Sequence, residues 1–294
     1  MKPAAFHYHR ATSVEQAVSL LQSCGGEARP IAGGQSLSAM MNMRLAEPSH
    51  LIDLRAIPGL SAIDEQQGCL VVGAMATHQA VATSPQVIAR CPMLAHAAGT
   101  IGHYAIRKQG TLGGSLAHAD PAAQIPLVAV ALDTQIDIVG PAGKRSLPAG
   151  QFFEGLMTTA LAPDELIVAA RFAPIDTGQG QSFRLFNLRH GDFAIVAVAV
   201  DLRLQGDDLA SLRLVLGGVG PVPLALDTLA ADFVGHAADA TLARRVAGQA
   251  QSMVDPFDSP GVSAQYRREL IEVLVEGAML EAIDRAQAAP DGAP

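Results

Sequence analysis

PIAGGQSL (residues 30–37) sets two glycines, an amide and a hydroxyl between a short apolar run and a Met-rich stretch. No lysine follows the glycines, as a P-loop requires, and the spacing is not that of a dinucleotide-binding βαβ turn. Taken alone, the glycine pair reads as a tight turn between two elements. A second stretch of the same chemistry, GTLGGSLAHADP (110–121), stands ahead of the apolar run IPLVAVAL. Glycine allows close backbone approach and positive φ, so successive N–H groups can converge on an anion. Thr and Ser hydroxyls add neutral donors. One such nest from each of two subdomains would clamp a diphosphate without Lys or Arg. On the residues alone, paired turns and a nucleotide clamp both stand.

Outward from these motifs the chain divides. TSVEQAVSLLQ (12–22) has Thr12 and Glu15 at capping-box spacing and apolar residues at helical intervals, which predicts a helix stopped by Gly25 and Gly26. ARPIA reads as a strand entering the first glycine turn, SLSAMMNMRL as a helical turn or two, and HLIDL as the next strand. A second unit follows. GCLVVGAM reads as a strand, SPQVIARCPMLAHAA as one helix with Ser84 as cap and Pro85 in its first turn, TQIDIVGPAGKRSL as a hairpin, and DELIVAARF as a closing strand. The polar joint PIDTGQGQ (174–181) marks the main boundary. Beyond it come the strands FRLFNLR, AIVAVAVDLRL and LASLRLVLGGV, then a surface helix over SAQYRRELIEVLVEGAMLEAI capped by Ser263. The units are therefore 1–175, with subdomains of about 1–58 and 59–175, then 180–286, and a frayed tail over 287–294.

The 294 residues are 49% hydrophobic, 16% charged and 4% aromatic, without Trp, so the core rests on Ala, Val, Leu and Ile. A net charge of −8 argues against a nucleic-acid or anionic-membrane partner. No secretory signal opens the sequence and no run is long enough to span a membrane. Cys24, Cys69 and Cys91 are scattered, which suits a reducing, cytoplasmic setting and no metal site. HYH at 7–9 has the donors to chelate, but reads first as an N-terminal surface feature. His118 and Asp120 lack a nucleophile elbow, so no catalytic side chain is expected.

AGGQSL followed by MRLAEPSHLIDL, then TLGGSLAHADP, RHGDFAIVAVA and GVGP resembles the FAD-binding medium subunit of molybdenum hydroxylases, in the family's order and from the N-terminus to about residue 285. The resemblance implies an α+β protein. A two-subdomain α/β FAD-binding domain of the vanillyl-alcohol-oxidase type would be covered by a C-terminal domain with an antiparallel sheet and terminal helices. It implies that Ala32, Gly33, Gly34, Gln35, Ser36 and Leu37 hold the FAD diphosphate from one side, and Thr111, Gly113, Gly114 and Ser115 from the other. Asp120 and Gln124 would lie near the ribityl or ribose hydroxyls, and Ile101 and Phe193 would flank the isoalloxazine ring. Departures from the family pattern are Gln35 for the usual His, Gln124 for a frequent Asp, RKQG (107–110) for RNRG, and Phe193 where Tyr occurs.

The implied role is an electron-transfer subunit, with the molybdenum cofactor on a large partner subunit and [2Fe-2S] clusters on a small one. The assembly would be a dimer of heterotrimers that delivers electrons to an external acceptor. Two other readings are a self-sufficient FAD-dependent oxidase or reductase of the same fold, and a non-redox binding or assembly protein.

Overall fold

The computed structural model describes residues 2–288. Three larger sheets follow one another along the chain, and a fourth, two-stranded one pairs Phe153–Gly155 with Thr158–Thr159. The N-terminal sheet is parallel, in the order His7–Arg10, His50–Asp53, Ala28–Ile31. The helix Val14–Ser23 connects its first two strands in the sequence and buries Ala17, Val18 and Leu21. Its cap is Ser13, one residue later than expected: the Ser13 hydroxyl accepts from Gln16 N at 3.1 Å, while Gln16 Oε1 accepts from Thr12 N at 2.7 Å. Gln16 thus takes the part assigned to Glu15, because the first turn closes around the nearer hydroxyl.

The second sheet has five antiparallel strands in the order Ile63–Gln66, Cys69–Gly73, Leu166–Phe172, Gln135–Gly140, Gly143–Pro148. The expected single helix over 84–98 is two, Pro85–Arg90 and Pro92–Gly99. Pro92 lacks an N–H and disfavours helical φ/ψ at Cys91, so the first helix ends there and a second begins. The apolar run IPLVAVA lies in the helix Gln124–Ala131, every residue of which is buried.

The C-terminal sheet, Gln179–Phe186, Val196–Gln205, Asp208–Gly217 and Leu224–Ala225, is antiparallel throughout. Strand 179–186 starts inside the expected joint. In strand Val196–Gln205 the first half, 196–200, is all apolar because successive side chains point to opposite faces and both faces are covered there, whereas Arg203 and Gln205 are exposed. Val196, Val198, Val200 and Leu202 pack with Ile271, Val275, Met279 and Ala282, whereas Ala197 and Ala199 join the core of the preceding unit. The helix Ala240–Met253, unmarked in the sequence reading, and the long helix Ala264–Ala288 complete this layer. Ser263 caps the latter, accepting from Tyr266 N at 3.1 Å. The helix runs on to Ala288, past the point at which fraying was expected; residues 289–294 of that tail lie outside the described residues.

Candidate functional site

A cleft of about 630 Å3 opens where the end of strand Ala28–Ile31, the start of helix Leu112–His118 and the segments around residues 101 and 191–193 meet. Ala32, Gly33, Gly34, Gln35, Ser36 and Leu37 line it, with Thr111, Gly113, Gly114, Ser115, Asp120, Gln124, Ile101 and Phe193. The structure thus brings the residues expected to hold the cofactor to one cleft.

The first motif is an open turn. The strand ends at Ile31 and the next helix begins at Leu37. Gly34 has φ +69°, which a side-chain-bearing residue adopts only at a cost. Gly33 is required for a different reason: a Cβ there would lie 1.9 Å from the carbonyl oxygen of Gln109. Among the described residues, the backbone N–H groups of Ala32 through Leu37 donate to no protein acceptor. Five of these residues are half-buried and Gln35 is exposed, and such a run of amides without protein acceptors marks a place where acceptors come from elsewhere. The Gln35 side chain turns back on its own loop, Nε2 donating to Gly33 O at 3.0 Å.

The second motif departs from the expected second nest. It is the first turn of the helix Leu112–His118, with Thr111 as its N-cap. Its amides are already used: Leu112 N donates to Ala76 O (2.9 Å), Gly113 N to Ala74 O (2.8 Å), Gly114 N to Thr111 Oγ1 (3.1 Å) and Ser115 N to Thr111 O (3.0 Å). The glycines serve packing. A Cβ on Gly113 would meet Ala74 Cβ at 2.5 Å, and one on Gly114 would meet Thr111 Oγ1 at 2.8 Å. What this side offers the cleft is hydroxyl groups: Ser115, and Thr111, whose O–H remains free to donate while its oxygen accepts the cap bond.

Around these, Asp120 Oδ1 accepts from Ala122 N at 2.8 Å, leaving the second carboxylate oxygen without a protein donor among the described residues. Gln124 is only 4% exposed, yet its side-chain amide has no hydrogen-bond partner in the described protein. Phe193, 59% exposed, stands at the mouth. Its segment is held close to the opposite wall, since a Cβ on Gly191 would lie 3.0 Å from Gly102 C. Arg107 Nη1 donates to Ile101 O (3.1 Å) and Gly102 O (3.0 Å), fixing that wall.

Sequence reasoning missed many of the lining residues, His78 and Arg29 among them. His78 lies against Gly110, where a Cβ would be 2.8 Å from its ring, and burial, with the nearby Arg107 charge, lowers its pKa to about 4. Its Nδ1 is buried without a partner. Nothing local in ATHQA announced this; His78, which opens the helix His78–Thr83, and Gly110 meet only in the fold, where His78 N donates to Gly110 O at 2.9 Å. Arg29 is the one Arg or Lys lining the cleft among the described residues, and its Nη1 is occupied by Gly26 O and Ala28 O. The cleft is therefore equipped to take an elongated anion by neutral donors, with a polar middle and a partly apolar mouth.

Such a cleft suits an elongated anionic ligand, and comparison with known proteins gives the family. Residues 4–172 match the FAD binding domain in molybdopterin dehydrogenase, and residues 181–282 the CO dehydrogenase flavoprotein C-terminal domain. The chain is 37% identical over 292 residues to subunit alpha of the 6-hydroxypseudooxynicotine dehydrogenase complex of Paenarthrobacter nicotinovorans, covering 98% of this chain and 97% of that one. It superposes with a TM-score of 0.94 and 34% identity on carbon monoxide dehydrogenase from Hydrogenophaga pseudoflava, in a form lacking the Mo-pyranopterin moiety (97% and 99% covered). Quinoline 2-oxidoreductase from Pseudomonas putida 86 gives 0.92 and 34%, with the same coverage. The chain belongs to the FAD-binding medium subunits of the molybdenum hydroxylase family, and is a flavoprotein subunit of an oxidoreductase.

Proposed function

We propose that this chain is the electron-transfer subunit of a molybdenum hydroxylase, holding FAD between the two glycine motifs and passing electrons from a partner's [2Fe-2S] clusters to an external acceptor. The observation that carries the reading is the run of six unpartnered amides at Ala32–Leu37 on the cleft wall, across from the Thr111 and Ser115 hydroxyls. A diphosphate offers acceptor oxygens only, which is what six free donors and two hydroxyls call for. Gln124 and the free oxygen of Asp120 suit hydroxyl groups of a ribityl or ribose chain, and Ile101 and Phe193 suit the two faces of a planar ring.

When bound, FAD supplies the redox chemistry, exchanging electrons singly and storing two. The chain's own part is binding, orientation and exclusion of water. The amide loop fixes the charged end, and Arg107 holds the Ile101–Gly102 wall in place. The 187–193 segment brings Phe193 over the mouth. No side chain is assigned a proton-transfer role. The units 1–175 (about 1–58 and 59–175) and 180–286 divide the work on this reading, the first holding the cofactor and the second covering it.

Partners of the kind proposed are a small iron–sulfur subunit and a large molybdenum subunit, assembled as a dimer of heterotrimers. The naming of relatives as medium chains and complex subunits supports this. Among the described residues no helix is long and apolar enough to cross a membrane. Three free cysteines favour the reducing, cytoplasmic setting included in the proposal.

The test is the visible spectrum of the purified chain with the acid-released chromophore identified, before and after incubation with FAD. One FAD per chain is expected. Release of FMN would undercut the diphosphate reading and favour a free-standing flavoenzyme. A colourless chain that takes up no added FAD would overturn the proposal.

A further inference from the structure

Outside the cleft the fold assembles a cluster of which only the HYH stretch was visible in the sequence. His9 on the first strand, His50 on the neighbouring strand and Cys24 at the C-cap of helix Val14–Ser23 bring one imidazole nitrogen each and the thiol sulfur within 4.8 Å of one another. The three side chains are half-buried, and none of them lines the cofactor cleft. His7 and His50 are register partners, and the His50 ring stacks on His7 (5.1 Å between centroids) and on His9 (5.2 Å). His9 Nε2 and His50 Nδ1 stand 2.9 Å apart, sharing one proton.

We propose that His9, His50 and Cys24 bind one divalent cation of the zinc class. Two imidazole nitrogens and a thiolate are a borderline-soft donor set, and the cluster includes no carboxylate that would favour Mg2+ or Ca2+. Tetrahedral Zn2+, with bonds of about 2.0–2.3 Å, puts its donor atoms roughly 3.3–3.7 Å apart. The nitrogen pair, 2.9 Å apart, lies just inside that spacing, and all three atoms lie within 4.8 Å of one another, so the thiol has to approach the pair by up to about 1 Å. Small ring and χ1 rotations of half-buried side chains close the difference. On binding, the imidazole that carried the proton between the two rings shifts it to its other ring nitrogen, the thiol proton passes to solvent, and a fourth position is left for water. Its effect is to tie the end of helix Val14–Ser23 to two strands of the sheet whose third strand, Ala28–Ile31, runs into the amide loop. The proposal does not depend on the cofactor reading.

The experiment is a Co2+ titration of the untagged, full-length, EDTA-stripped chain, followed by optical absorption. The expected result is one Co2+ per chain with a thiolate-to-cobalt charge-transfer band, bleached by Zn2+. Cys24→Ser should remove the band and weaken Co2+ binding at least tenfold while far-ultraviolet circular dichroism stays unchanged; His236→Asn, remote from the cluster, should leave the band intact. Zn2+ should also raise the Tm of the wild-type chain but not that of Cys24→Ser. Absence of the band in the folded wild-type chain, or its persistence in Cys24→Ser, would overturn the proposal.

Discussion

AGGQS at 32–36 and TLGGS at 111–115 share paired glycines and a following serine, but they spend their backbone donors differently. In the first, six consecutive amides have no protein acceptor among the described residues; in the second, each amide from Leu112 to Ser115 is bonded within the protein. Glycine is needed at both for close approach, against Gln109 in one and against Ala74 and Thr111 in the other. Positive φ enters only at Gly34. The lesson is that a Gly-Gly pair reports crowding before it reports an anion nest. The anion argument has to come from which amides remain free.

The sharpest way to break this comparison is to crowd each motif. Gly33→Val drives a side chain into the Gln109 backbone and displaces the loop that carries the free amides. It should cut FAD retention by more than ~100-fold, about 3 kcal/mol, read as acid-released flavin per chain. Gly113→Val presses on Ala74 beneath the helix and should lower stability by about 1–3 kcal/mol, read as a fall in Tm. Equal losses of stability with no difference in flavin retention would erase the distinction.

Acidification separates the two sides next. His78, beside the second motif, is held neutral by burial down to about pH 4. The unfolded chain takes up that proton nearer pH 6.5, so the stability is whole above 6.5 and is lost as pH falls toward 4, by up to about 3 kcal/mol. Asp53 ends the strand paired with Ala28–Ile31, beside the first motif. Hydrogen bonds from Arg55 (Nη2 at 2.6 Å), with Tyr8 in support, hold its carboxyl at about 2 despite burial. Its contribution is whole above the usual carboxylate range and fails only as pH falls from about 4 toward 2. Denaturation curves should therefore steepen in two stages, and His78→Gln should flatten the stage between pH 6.5 and 4 while sparing the lower one.

Smaller effects follow from the hydroxyls. Thr111→Val loses a helix cap as well as a donor and should cost about 1–2 kcal/mol in stability with weaker FAD binding. Ser115→Ala, which caps nothing, should weaken FAD roughly five- to tenfold with an unchanged Tm. Smallest of all is the salt effect. A site that holds a diphosphate with amides and hydroxyls should change affinity less than about threefold between 50 and 500 mM salt, as measured by fluorescence titration.

Much of the fold was legible in the sequence. The strand AIVAVAV declared two covered faces by having no polar alternation, and Ser84–Pro85 and Ser263 marked helix starts by their cap chemistry. Pro92 could have announced the helix break, since the residue before proline resists helix. Helix Leu112–His118 was hidden because two glycines near its start are poor helix formers; tertiary packing against Ala74 overrides that propensity. The residues of the two glycine motifs were findable because glycines, hydroxyls and amides cluster locally in the chain, whereas Ile101, Asp120, Gln124 and Phe193 were reached only through the family resemblance. His78 and the meeting of His9, Cys24 and His50 were not, because they depend on contacts between segments far apart in sequence. Nor does any sequence state which amides end unpaired; that is a property of the folded backbone.

Amide hydrogen–deuterium exchange with and without FAD tests the central claim most directly. The account predicts strong new protection across residues 32–37 on adding FAD, with 112–115 already slow to exchange and nearly unchanged. New protection confined to 112–115, with 32–37 still exchanging freely, would contradict it.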